Sequence, residues 1–269
     1  MFKNAIKKSL KYTRPLLIGK LQYKDFKVIN DIGTMIILNK HNDILTTSHV
    51  ADAFFKVQDF NEVFPPILKE IDEAKPKNKD KVKEKYGITD ESIVGMQTVV
   101  VDITDALDKI TIIKHNYLDL AIISFHNKDD NSNGEYPVFA KNDAECGEDL
   151  CAVGFAFPEY TAFKYNPEKY KLSVDHQFMN FPIYPTNGMM CRNIVDKKDK
   201  LTMFEMSNIV LKGQEGGPVL NTKGELCGII LTSRNVSDEY GSFRSGLAIN
   251  NSAIREFLDD NNIEYEVAK

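Results

Sequence analysis

Three residue types that can move a proton and stabilise an anion occur in order along the chain: His49, Asp119 and the glycine-rich 213–217 segment. The first lies in Ile44-Leu45-Thr46-Thr47-Ser48-His49-Val50-Ala51 and the second in Leu118-Asp119-Leu120-Ala121-Ile122-Ile123. The third is Gly213-Gln214-Glu215-Gly216-Gly217-Pro218-Val219. An imidazole can take a proton, a carboxylate can orient it, and a turn built from residues without Cβ can aim backbone N–H groups at a developing negative charge. Singly, each segment also has a plain structural reading, since a His after a β-like run or an Asp before an apolar strand is commonly a core or turn residue. The combination and its order are what carry information.

Other chemistry finds less support. His41, His49, His115, His126 and His176 are scattered, with no H-E-x-x-H or similar pair, so no metal is expected. There is no G-x-x-x-x-G-K-[ST] or G-x-G-x-x-G phosphate loop, and no cofactor is expected. Cys146, Cys151, Cys191 and Cys227 lack C-x-x-C spacing and the density of a disulfide scaffold, which makes free, partly buried thiols the expectation.

The elements that must position these residues are mainly short strands. Apolar, β-branched runs fall at 33–38, 44–47, 97–101, 111–113, 120–125, 150–155, 219–220, 226–231 and 246–249, bounded by Asn, Asp, Gly and Lys. Residues 39–43 and 221–225 have the composition of hairpin turns. Residues 53–93 break the pattern. Phe54, Phe55, Phe60, Val63 and Phe64 precede a charge-dense run, which predicts helical pieces interrupted at Pro65-Pro66 and at Pro76. A terminal helix is expected over 251–262, with Ser252 as N-cap and Ile254, Phe257 and Leu258 as its apolar stripe. The polar stretch 127–134 divides an N-terminal half (1–130) from a C-terminal one (131–250) within one domain of 1–269.

Composition bounds the partners. With 269 residues, 42% of them hydrophobic, the chain can bury a substantial core. A formal charge of −5 gives no general footprint for nucleic acid. Residues 1–27 hold eight Lys or Arg against one acid, with Phe2, Ile6 and Leu10 at helical spacing, which reads as a solvated terminal helix or a surface-docking one. No run approaches the roughly 20 apolar residues of a membrane span, and no secretory leader pattern is seen, so a cytoplasmic location is the expectation.

Taken together, the three segments resemble the trypsin/chymotrypsin-like serine proteases, nearest the bacterial HtrA-type branch with its L-T-x-x-H-V, D-L-A and G-x-S-G-G-P segments. Cys146-Gly147-Glu148-Asp149 leading into Ala152-Val153-Gly154-Phe155, Lys223-Gly224-Glu225-Leu226 and Gly246-Leu247-Ala248-Ile249 extend the likeness. It implies an all-β fold of two packed six-stranded antiparallel barrels, here with a helical insertion over 53–93, a C-terminal helix and no PDZ module. It also implies His49 as base, Asp119 as its orienting acid, and the N–H groups of Gly213 and of residue 215 as oxyanion hole. The substrate pocket would be lined by Ile209, Leu231, Thr232 and Ser233, suiting an apolar or small side chain.

This sequence departs from the family at the nucleophile, where Glu215 replaces serine. A carboxylate has no proton to give His49 at neutral pH, and its attack on an amide would form a far more reactive anhydride. Loss of a triad nucleophile costs about 10⁶-fold in turnover. Glu215 either joins His49 and Asp119 in a charged cluster or points to solvent. Ser207 and Ser48 are poor substitutes, Ser48 because a neighbour of His49 on a strand would face the other way. The expected function is therefore a silent protease homologue that binds a peptide or protein partner, with 53–93 as a docking element. The alternative is an active serine endopeptidase whose natural residue 215 is serine.

Overall fold

Strands form where β-branched and apolar residues cluster; the computed structural model describes residues 1–103, 110–125, 134–157, 162–175, 181–196, 200–239 and 241–269. The 127–134 connection lies outside these residues except for Gly134. The N-terminal half contains β1 (Thr13–Gln22), β2 (Val28–Ile37), β3 (Asp43–Thr46), β4 (Ile93–Val100), β5 (Ile110–Lys114) and β6 (Ala121–Phe125). They form one antiparallel sheet in the order β4-β1-β2-β3-β6-β5. Among the described residues its margins, β4 and β5, do not pair with each other, so hydrogen bonds do not close this half into a ring.

The C-terminal half contains β7 (Val138–Phe139), β8 (Asp149–Ala152), a separate hairpin of β9 (Phe163–Asn166) and β10 (Lys171–Val174), then β11 (Thr186–Val195) and β12 (Leu201–Met206). It continues with β13 (Pro218–Leu220), β14 (Leu226–Asp238), β15 (Gly241–Asn250) and β16 (Glu266–Val267). The order β13-β8-β11-β12-β15-β14 returns to its start through a β13–β14 pairing, which closes six strands into a barrel. One hydrophobic cluster runs through both halves, from Leu16, Ile36, Leu45 and Ile122 to Phe139, Val153, Ile229 and Ile254.

The basic N-terminal stretch turns out to be structural. Phe2 and Ala5 on helix α1 (Lys3–Ser9) and its neighbourhood are buried in that common cluster, with Ile6 packed against it. The following residues form β1, which the sequence reading did not anticipate. Leu16, Leu17 and Leu21 are fully buried there, while Arg14 pairs with Asp102 at 3.4 Å and Lys20 with Asp31 at 2.8 Å. Partnered cations at strand positions give the same composition as a solvated basic tail.

Helix α2 (Ser48–Glu73) runs unbroken through Pro65 and Pro66, contrary to the expected interruption. A proline inside a helix costs roughly 3 kcal/mol through its missing N–H and ring clash. Val50, Phe54, Val57, Leu68 and Ile71 are buried from this helix, and at roughly 1.5–3 kcal/mol per side chain they offset two prolines. The break at Pro76 does occur: α2 ends at Glu73, a short 3₁₀ turn spans Pro76–Asn78, and α3 (Lys79–Lys85) follows. The terminal helix α4 (Asn251–Asp260) buries Ile254, Phe257 and Leu258 as expected. Its cap is Asn250, not Ser252: the Asn250 side chain accepts from Ala253 N–H at 3.0 Å, and Ser252 N–H goes to Asp143 at 2.8 Å.

Candidate active site

Strand β3 ends at Thr46, and Thr47, in extended conformation, turns the chain into α2 so that His49 sits in its first turn. Ser48 is thus on a helix start and not on a strand. Its hydroxyl donates to the Leu120 carbonyl at 2.8 Å, fastening that start to the turn that bears Asp119. The Asp119 carboxylate accepts twice from one residue: from His49 N–H at 2.9 Å and from His49 Nδ1 at 2.6 Å. This leaves Nε2 facing the 213–217 loop.

The loop is shaped by close approach. Gly213 and Gly216 have φ of +98° and +85°, and a Cβ on Gly216 would lie 2.2 Å from the Thr34 carbonyl oxygen. Only glycine fits that backbone without strain. Thr34, on β2, grips the loop from the other half: its N–H donates to Glu215 O at 3.0 Å, and its hydroxyl donates to Gly213 O at 2.6 Å while accepting from Phe155 N–H at 3.1 Å. Gln214 is fully buried, donating to Tyr184 O at 2.6 Å and accepting from Leu211 N–H at 2.7 Å. Among the described residues neither Gly213 N–H nor Glu215 N–H donates to a protein acceptor. Sequence reasoning missed Thr34 and Gln214, whose roles arise from contacts across the fold.

The Glu215 side chain turns toward His49, with Oε2 at 3.9 Å from Nε2, and keeps about a quarter of its surface exposed. An imidazole between two carboxyl groups holds its proton. The His49 pKa rises to about 9, chiefly through its hydrogen bond to Asp119 and then through Glu215, against the opposing effect of partial burial. Burial works against ionisation of Asp119, but the hydrogen bonds from His49 outweigh it and hold that carboxyl below its usual range.

Of the residues expected to line a substrate pocket, Ser233 ties β14 to the segment after Ile209: its hydroxyl donates to Val210 O at 2.6 Å and accepts from Val210 N–H at 3.1 Å. Ile209 is exposed beside it, and Leu231 lies at a bulge in the β14–β15 ladder before Thr232, which pairs with Leu247. The nearest buried acid on β12, Glu205, is engaged by Arg192 and by the Ser245 hydroxyl. Ser207 is turned elsewhere, its hydroxyl accepting from Met189 N–H at 2.8 Å. Cys191 is on β11. Among the described residues no group of three or more His, Cys, Asp or Glu is arranged to hold a metal ion; His126 and His176 lie outside them.

A His–Asp pair from one antiparallel β unit, facing a tight glycine loop from a second, defines the class of two-barrel β peptidase folds. The sequence pattern of the trypsin-like peptidase domain matches residues 33–229, and the chain belongs to that family. Among solved structures, the serine endoprotease from Yersinia pestis is similar at a TM-score of 0.51 and 14% identity, over 97% of this chain. This chain spans 66% of the length of that one. A protease from M. tuberculosis in its active form gives a TM-score of 0.51 and 12% identity, over 98% of this chain and 86% of that one. At such identities the likeness concerns the fold. No curated protein matches the chain.

Proposed function

We propose that this trypsin-like peptidase-domain protein is a pseudoprotease: it binds a peptide or protein partner in the cleft and does not cleave it. The observation that carries this reading is Glu215 Oε2 at 3.9 Å from His49 Nε2, where a nucleophile would surrender its proton to a neutral imidazole. Here the imidazole is already charged over the neutral range. The nucleophile position holds an acid with no hydroxyl to activate, and Gly213 and Glu215 N–H groups remain as an oxyanion hole without a reaction to serve.

Binding would use the Leu231–Thr232–Ser233 edge of β14, along which an extended peptide can add as a strand. The Ile209 pocket then takes an apolar or small side chain, since among the described residues no free acid stands there for Lys or Arg. The 53–93 insertion, long and close to His49, is the second docking element in this reading. Four free cysteines fit a cytoplasmic setting.

A second reading, an endopeptidase whose natural residue 215 is serine, is favoured by the 2.6 Å His49–Asp119 contact and by the positive-φ glycines of the 213–217 loop. Fluorophosphonate labelling of the chain and of Glu215→Ser separates the two. The pseudoprotease reading expects no labelling of the chain as it stands; labelling and peptide cleavage by it would overturn that reading. Labelling of the serine form alone would identify residue 215 as the switch.

A further inference from the structure

We propose that His115, in its neutral form, is the positioning residue that holds Asp119 within reach of His49, and that acidification releases it. His115 Nδ1 accepts two backbone hydrogen bonds at once, from Tyr117 N–H at 3.1 Å and from Leu118 N–H at 3.0 Å. Its own N–H donates to Leu120 O at 2.8 Å, and Leu120 N–H donates to Leu118 O at 2.8 Å. Asp119 is therefore the one residue between two clamped neighbours. The Tyr117 side chain is 92% exposed and touches the turn edge-on at the His115 ring, with centroids 6.2 Å apart, so the imidazole is the turn's organising group.

The geometry fixes the protonation state. A ring nitrogen that accepts two N–H groups must present its lone pair, so the neutral tautomer carries its proton on Nε2. A proton on Nδ1 would set three donors face to face, and the turn would have to open. The ring is held edge-on against Phe257 of α4, with centroids 5.2 Å apart. The charged groups facing it are Glu256 and Asp260 on α4, which favour its charged form, and Lys200 before β12, which disfavours it and is itself paired with Glu256. Burial is the largest influence and moves the His115 pKa below its ordinary 6.5. The clamp is thus closed at neutral pH and opens in moderately acidic solution. His49 also meets the turn, through Asp119, but with its pKa raised to about 9 it stays charged over the acidic range and holds Asp119 in its ionised form.

The inference goes beyond the pseudoprotease reading and stands whether or not the chain turns over, because it concerns the Asp119–His49 bond. That bond is read by NMR as the downfield His49 Nδ1 proton, followed from pH 8 to pH 4 in the intact protein, in His115→Asn and in His115→Ala. In the parent the signal should be lost as His115 takes up its proton, together with shifts of the Tyr117 and Leu118 amides. His115→Asn offers an Oδ1 that accepts like Nδ1 but does not titrate, so its signal should persist at least one pH unit lower. His115→Ala should lack the signal throughout while remaining folded by circular dichroism. Loss at the same pH in the parent and in His115→Asn would overturn the proposal, as would Tyr117 and Leu118 amides that do not respond to His115 titration. If His115→Ala does not fold, the comparison of the parent with His115→Asn decides alone.

Discussion

The Thr34 hydroxyl donates to the Gly213 carbonyl at 2.6 Å and so ties a strand of the His49-bearing half to the loop of the other half. The same oxygen accepts from Phe155 N–H at 3.1 Å, and Thr34 is fully buried. Thr34→Val keeps the shape and removes both bonds, leaving a carbonyl and an N–H unpaired. A loss of about 1–3 kcal/mol is expected in urea unfolding, together with weaker binding of any cleft ligand.

Glu215→Gln should lower the His49 pKa from about 9 without returning it to 6.5, because Asp119 supplies the larger share. The sign for stability follows. A histidine whose folded pKa is raised contributes stability that is fully present below 6.5 and is lost as pH rises through about 9. Unfolding followed between pH 6 and pH 10 should therefore show a shallower alkaline loss in Glu215→Gln than in the parent.

Asp119→Asn removes the leading cause of the His49 shift and should lower that pKa further than Glu215→Gln does. NMR titration of the His49 ring gives the comparison directly. In a Glu215→Ser background the same change should cut fluorophosphonate labelling on the order of 10⁴-fold, as the imidazole loses its tautomer and its counter-charge.

The four thiols should divide two and two. Cys146 and Cys191 are exposed, whereas Cys151 and Cys227 are buried, with thiols pushed up by burial to about 11 and about 12. A maleimide counted by mass spectrometry should add twice to the folded protein and four times after denaturation. Rapid modification of Cys151 or Cys227 in the native state would contradict this packing.

His49, Asp119 and the glycine loop were readable in the sequence because each needs a particular residue type, and their order survives even where the nucleophile has changed. Apolar runs marked β2 to β6, β8 and β13 to β15 but neither β11 nor β12, and the pairing of two β units came from the family resemblance. What escaped notice depends on contacts rather than composition. Arg14 and Lys20, which find acidic partners, looked like part of a solvated tail, which hid β1. Two prolines looked like a helix end because the buried face of α2 that outweighs them could not be weighed from sequence. Ser48 was placed on a strand because nothing local marks where β3 gives way to helix. His115 did stand four residues before Asp119 in the sequence, but only its two accepted N–H groups distinguish it from any other turn histidine.

The two halves differ in how they end. The six strands around Glu215 meet themselves through the β13–β14 pairing, while the sheet behind His49 and Asp119 has two unjoined margins among the described residues. A ring resists fraying and an open margin permits it. The 213–217 loop is thus mounted on the closed frame, and His49 with Asp119 on the open one. Backbone amides along the β4 and β5 margins should accordingly exchange with deuterium sooner than those of the β13–β14 seam.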